Sequence, residues 1–213
     1  MLKCHFENAK NLLFLGAHSD DIEIGCGGTI LKLAKANPDL NIRWVVFSAE
    51  GQRRREAQAG ARLFLQGVTQ SEVVVKRFKT SFFPAQMAPI KTCFETLKRS
   101  FKPDIVFTHY RDDRHQDHRL VSDLTWDTFR DHLILEYEIP KYDGDLGIPN
   151  LFVPLAETLG RRKAEYLAKV FRTQSDKHWF SKETFLGLMR LRGVECTTRY
   201  AEAFHCRKIS CGF

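Results

Sequence analysis

Along the chain, short apolar runs alternate with longer stretches in which apolar residues recur at helical spacing. Leu12 to Gly16 has the length and character of a buried strand, and Ile42 to Phe47 is a second, β-branched and aromatic. Glu72–Val75, Asp104–Thr108 and Leu133–Tyr137 continue the series. Between them, the spacing predicts helices over Ile24–Ala36, ending before Pro38, and over Arg53–Leu65, stopped by Gly67. Further helices are predicted over Ala88–Phe101, ending before Pro103, and over Asp117–Asp131. Strands that are apolar throughout, each followed by a helix, predict a parallel sheet covered on both faces. The expected architecture is α/β: a Rossmann-like, doubly wound, mostly parallel sheet. Residues 138–155, rich in Pro, Gly and Asp, read as a long loop. Glu157–Phe171 and Lys182–Leu191 read as a helical C-terminal extension, and Tyr200–Arg207 as a final strand. Without a repeat or a linker, residues 1–213 are expected to form one domain.

Composition narrows the class. With 43% apolar and 28% charged residues, the chain has the profile of a soluble globular protein. No apolar run approaches the roughly 20 residues that span a bilayer. The N-terminal Met1-Leu2-Lys3-Cys4-His5-Phe6-Glu7 is charged where a secretion signal needs its apolar core. Cys4, Cys26, Cys93, Cys196, Cys206 and Cys211 are scattered and form no Cys-x-x-Cys pair. Reduced thiols and a cytoplasmic location are therefore expected, with most cysteines acting as small buried apolar groups. The formal charge of +7 owes much to Arg53-Arg54-Arg55 and Arg161-Arg162-Lys163. Such runs fit solvated helix faces or attraction to an anionic substrate or membrane surface. No zinc finger, RNP sequence or aromatic-interleaved basic stripe is present, so nucleic acid is not an expected partner.

Candidate chemistry gathers at two strand ends, where doubly wound sheets place their sites. After the first strand comes Gly16-Ala17-His18-Ser19-Asp20-Asp21-Ile22-Glu23. His18 and Asp21 are three apart, so one turn of backbone can aim both at one ion, zinc being well suited. The competing reading is an acidic helix N-cap. Gly25, Gly27 and Gly28 lack the G-x-G-x-x-G order, and acids stand where a pyrophosphate would approach. After the fourth strand comes His109-Tyr-Arg-Asp112-Asp113-Arg-His115-Gln-Asp117-His118. In a doubly wound sheet the first and fourth strands can be neighbours. Two ligands from the first motif and one histidine from the second make a three-ligand site with a position left for water.

At these residues the chain resembles the PIG-L/LmbE superfamily of metal-dependent de-N-acetylases. The hallmark Ala-His-Pro-Asp-Asp-Glu reads here Ala17-His18-Ser19-Asp20-Asp21-Ile22, and His-Pro-Asp-His reads His115-Gln116-Asp117-His118. Arg53-Arg54-Arg55-Glu56 matches an Arg-x-x-Glu feature, and Tyr200-Ala-Glu-Ala-Phe204 resembles the last strand. The resemblance implies a zinc site, Fe²⁺ or another divalent metal being alternatives, held by His18, Asp21 and His118. It implies Asp20 as general base, His115 as acid or electrostatic stabiliser, Asp117 as the residue orienting a histidine, and Arg53 as a substrate contact. Asp113, two residues before His115, is expected to line the cleft. The implied substrate is an N-acetylated amino sugar, anionic if its carrier bears phosphate; a homo-oligomer is compatible. Ile22 stands where the family has glutamate, with Glu23 next. Other readings are a different amide hydrolase on the same site, or a metal-independent sugar- or nucleotide-binding module. Lys141, Asp143 and Asp145 could meet sugar hydroxyls, His205 reads as structural, and His109 as either a surface residue or a support for the site.

Overall fold

The computed structural model describes residues 5–6 and 8–210. Its seven strands form one sheet in the order β3-β2-β1-β4-β5-β7-β6. β1 (Asn11–Gly16) lies between β2 (Asn41–Val46) and β4 (Ile105–His109), all parallel. β3 (Gln70–Val75) extends the sheet beyond β2, and β5 (Leu133–Tyr137) extends it beyond β4, again in parallel. Alternate side chains of each central strand enter different cores. Leu12 and Phe14 of β1 join Ile42, Trp44 and Val46 of β2 under one helical layer, while Leu13, Leu15 and Val45 face the other. The expected mostly parallel, two-faced sheet is thus the observed one.

The first layer contains α1 (Asp21–Ala36), α2 (Gly51–Phe64) and α5 (Glu157–Val170); the second contains α3 (Met87–Ser100) and α4 (Gln116–Thr128). The C-terminal helices are therefore not an appendage: α5 packs against α1 and α2, and α6 (Lys182–Glu195) against α5 and β7 (Tyr200–His205). The predicted loop 138–155 hides a strand, β6 (Leu151–Leu155), antiparallel to β7 at the sheet edge. Pro154 spoils its strand signature, yet proline is tolerated on an edge, where the ladder bond it lacks faces outward.

α1 is interrupted. Cys26 has non-helical φ and ψ of −140° and 19°, which frees backbone groups on both sides. Glu202 of β7 accepts from the backbone N–H of Gly28 (2.7 Å) and Thr29 (2.6 Å), and Lys163 of α5 donates to Ile24 O (2.5 Å) and Glu202 Oε1 (2.5 Å). Lys163 is buried, so the basic run at 161–163 is not simply a solvated face. The glycines after the acidic pair serve packing: a Cβ at Gly25 would stand 2.2 Å from the Tyr137 ring. Cys26 and Cys196 are buried but Cys93 and Cys206 are only half-buried, so burial holds for two of the four described cysteines rather than most; Cys4 and Cys211 lie outside the described residues. No helix among the described residues is long and apolar enough to cross a membrane.

Candidate metal centre and active site

β1 and β4 run side by side, and the sheet order reverses at β1, so their C-terminal ends open a shared crevice. The turn after β1 brings in His18 and Asp20 and opens α1 with Asp21; the loop after β4 leads to α4, whose cap is His115 and whose first turn holds Asp117 and His118. Asp20 occupies the N-cap position of α1 but makes no side-chain capping bond, so capping does not account for its carboxylate.

The three expected ligands converge. His18 Nδ1 stands 3.1 Å from His118 Nε2 and 3.4 Å from Asp21 Oδ2, and His118 Nε2 stands 3.6 Å from Asp21 Oδ1. Donors bound at about 2.0–2.2 Å in a tetrahedron around zinc are separated by roughly 3.3–3.5 Å. Hydrogen bonds at the outer nitrogens set the tautomers. His18 Nε2–H donates to Asp117 Oδ2 (3.0 Å), and His118 Nδ1–H donates to Asp113 Oδ2 (2.9 Å). The inner nitrogens, His18 Nδ1 and His118 Nε2, then face each other, an arrangement satisfied by a proton on His18 or by a metal ion between them. Without a metal the surrounding charges favour the proton, which a bound ion would displace. Burial lowers the His18 pKa, but Asp21 and Asp117 outweigh it and lift it to about 9. Burial and the neighbouring His109 hold His118 down at about 3. Burial raises Asp21, yet His118, His109 and His18 keep it well below the usual carboxylate range. The residues fit a bound divalent ion.

The remaining expected residues divide. Asp20 is 5% exposed beside this centre, and burial with the adjacent Asp21 raises its pKa to about 6, against the pull of His18, Lys177 and Arg53. His115 Nδ1 accepts from Asp117 N–H (3.2 Å) as the cap of α4, which leaves its Nε2–H for the cleft. Its ring stacks on His118, with centroids 4.6 Å apart. Asp117 orients His18 and is itself held by the backbone N–H of Ser81 (2.6 Å) and Phe83 (3.1 Å). Of the three consecutive arginines, Arg54 bonds Val75 O and Arg55 bonds Gln52, while Arg53 is half-buried and close enough for its charge to act on Asp20. Asp113 requires a correction: it does not line the cleft. It is 3% exposed, lies behind His118, and is paired with Lys141 Nζ at 3.0 Å. Lys141 and Asp145, for which both sugar contacts and plain loop structure were open, pair with each other inside the 138–150 loop. Ile22 fills the core where the family has glutamate, and Glu23 is buried next to it, burial first and then Asp20 and Asp21 pushing its carboxyl well above the usual carboxylate range.

His109 is more than a strand-end residue. It is fully buried, stacks on His118 at 3.9 Å, and its Nε2 lies 3.0 Å from Ala17 N and 3.2 Å from Asp21 Oδ2. Tyr137 O–H donates to Leu15 O (2.6 Å) beside it. The donor atoms of Asp21, His109 and His118 fall within 4.8 Å of one another, as do those of His18, His115 and His118. The first of these groups makes His109 a candidate ligand as well as a neighbour of His118. Ser81, in the left-handed region at φ 66°, was also silent in the sequence; its turn delivers the amide that grips Asp117. Strain at a non-glycine residue costs about 1–2 kcal/mol and is kept here by that contact.

Comparison with known proteins places the chain. A profile of the PIG-L family, GlcNAc-PI de-N-acetylase, matches residues 13–129, which include both ligand motifs. The chain is 30% identical over 142 residues to an uncharacterized deacetylase, YaiS, of Escherichia coli K12, covering 62% of this chain and 75% of that one. In fold it resembles the N,N'-diacetylchitobiose deacetylase of Pyrococcus horikoshii, with TM-score 0.73 and 23% identity over 94% of this chain and 84% of that chain. It also resembles GalB, the 4-carboxy-2-hydroxymuconate hydratase of Pseudomonas putida KT2440, with TM-score 0.75 and 16% identity over 96% and 97% of the two chains. The second likeness means that fold alone does not name a reaction. The matched profile, the deacetylase relative and the His/Asp centre together do: the chain belongs to the PIG-L family and is a metal-dependent deacetylase, a hydrolase of amide bonds.

Proposed function

We propose that the protein is a zinc-dependent hydrolase that removes the acetyl group from an N-acetylated amino sugar. The observation that carries this reading is the meeting of His18 Nδ1, His118 Nε2 and the Asp21 carboxylate at 3.1–3.6 Å beside buried Asp20. Two imidazoles and one carboxylate suit zinc and leave a position open. A divalent ion there supplies Lewis-acid polarisation and a water acidic enough to attack near neutral pH.

The chain's own residues do the rest. Asp20, freed from capping, takes a proton from the attacking water as the carbon–oxygen bond forms. His115 Nε2–H, fixed in that tautomer by its cap bond, donates to the developing oxyanion. The carbon–nitrogen bond then breaks, and Asp20 returns its proton to the nitrogen, releasing acetate and a free amine. Asp117 and Asp113 hold the two imidazoles in register through their outer N–H groups. Arg53 is placed to meet an acceptor on the sugar or its carrier. The scattered cysteines favour a cytoplasmic setting. The names of the Pyrococcus deacetylase and its relatives support an acetylated sugar as the substrate class.

The test is acetate release from N-acetylglucosamine, N,N'-diacetylchitobiose and UDP-N-acetylglucosamine, with and without a chelator. Release that stops on chelation and returns with zinc is expected. Release indifferent to chelation would reject the mechanism.

A further inference from the structure

The metal centre is braced by a residue from outside both ligand motifs. Lys141, in the loop between β5 and β6, has a side chain only 9% exposed. Its ammonium sits between two buried carboxylates, Asp113 (Oδ2 at 3.0 Å) and Asp145. Asp143, 4.0 Å away, is exposed and adds little. Both buried carboxylates also grip the loop after β4. Asp113 accepts from His118 Nδ1–H through Oδ2 (2.9 Å) and from His115 N–H through Oδ1 (2.8 Å). Asp145 accepts from Arg114 N–H (2.7 Å). One cation thus joins the 138–150 loop to the backbone of Arg114 and His115 and to the ring of His118.

Among the described residues, no further hydrogen bond or ion pair ties residues 141–146 to the rest of the chain. Apolar burial does not hold them either, since Tyr142 and Leu146 are exposed. The next anchor is Gly147 O, which accepts from Arg192 Nη2–H at 3.2 Å. Charge therefore holds this segment in place. The ammonium has two opposed effects on His118. It shares Asp113 Oδ2 with the ring N–H, which weakens that hydrogen bond, and it keeps Asp113 where the ring can reach it. The second effect wins, because two buried carboxylates cannot keep facing each other once the only cation between them is gone. We propose that Lys141 is a positioning residue for the metal centre: acting through Asp113, it holds the His118 ring and couples closure of the 141–146 segment to metal binding. The inference rests on the reading of His118 as a metal ligand.

The experiment measures zinc affinity, in competition with a chromophoric chelator, for the wild type, Lys141→Met, Asp113→Asn and the double variant. Lys141→Met should bind zinc about tenfold more weakly, the lower end of what a lost partner of a ligand histidine costs. In the Asp113→Asn background, Lys141→Met should change the affinity by less than about twofold, because its path to His118 is already cut. Equal affinity in the wild type and Lys141→Met overturns the proposal. A loss of the same size in both backgrounds also overturns it, since Lys141 would then act independently of Asp113. Hydrogen exchange of the wild type gives a second reading that does not depend on the variants folding. Coupling is reciprocal, so zinc should slow exchange of the Arg114 amide, which Asp145 holds, by about tenfold. An Arg114 amide indifferent to zinc overturns the coupling while leaving the metal centre standing. A wild type that binds no zinc overturns the metal-centre reading and the coupling together.

Discussion

Replacing Asp117 by asparagine keeps shape and removes one charge and one acceptor. In the wild type, Oδ2 accepts from His18 Nε2–H at 3.0 Å and Ser81 N–H at 2.6 Å, and Oδ1 accepts from Phe83 N–H at 3.1 Å. The new NH₂ has to face one set of donors. Turned toward Phe83 it meets one N–H, turned the other way it meets two, so the first orientation is preferred. His18 then keeps an acceptor but loses its ionic character, and a buried backbone N–H is left unpaired, which costs about 1–3 kcal/mol of stability. Partners of this kind are worth about 10–100-fold in metal affinity, or roughly 1.4–2.7 kcal/mol. Asp117→Asn should therefore bind zinc about 10–100-fold more weakly in competition with a chromophoric chelator. It should also unfold at lower urea, and recover most of its turnover at saturating zinc. Unchanged zinc affinity would refute the claim that Asp117 sets the His18 tautomer for a metal. Lost turnover with full zinc occupancy would instead make Asp117 part of the chemistry.

Asp20→Ala should keep its metal and lose about 10²–10⁴-fold in acetate release, as removal of a general base does; near-normal turnover would reject the assignment. Lys163→Met leaves Glu202 buried with its charge unpaired beside the interrupted α1, so urea unfolding should show a loss of about 3–5 kcal/mol; a loss under ~1 kcal/mol, the value of an exposed pair, would show that the pair is not clamped. His205, 8% exposed and stacked on Tyr110, is held at a pKa of about 4 by burial and by Arg192, with Asp112 opposing. Its folded value lies below the unfolded value of about 6.5, so its contribution is intact above pH 6.5 and lost as pH falls toward 4. Between pH 7 and 5 that amounts to about 2 kcal/mol, and His205→Gln should remove this part of the pH dependence of urea unfolding; an identical pH dependence in the variant would contradict it.

The sheet was legible because its central strands are apolar on both faces and each is followed by a helical stretch. The convergence of His18, Asp21 and His118, the proposed ligands, was legible because they stand just beyond two strand ends that the topology makes neighbours. What the sequence hid has physical reasons. β6 is short and contains Pro154, which only an edge position tolerates. His109 ends a buried strand, and strand alternation alone does not say that its ring stacks on His118. Asp113 was misplaced because its position two residues before His115 reveals proximity but not direction; the turn points it behind His118. Lys163 looked like one of three surface cations until α5 set it opposite Glu202, a partner 39 residues away. The grip of Ser81 on Asp117 depends on a left-handed residue that no turn signal marks.

The central claim is that His18, Asp21 and His118 hold one divalent ion. Metal analysis of the purified wild type beside His118→Ala tests it most directly, with folding of the variant checked by circular dichroism. The account predicts one zinc, or one other divalent ion, per wild-type chain and none retained by a folded His118→Ala. Equal metal in both proteins, or a wild type that takes up none even after reconstitution, would contradict it.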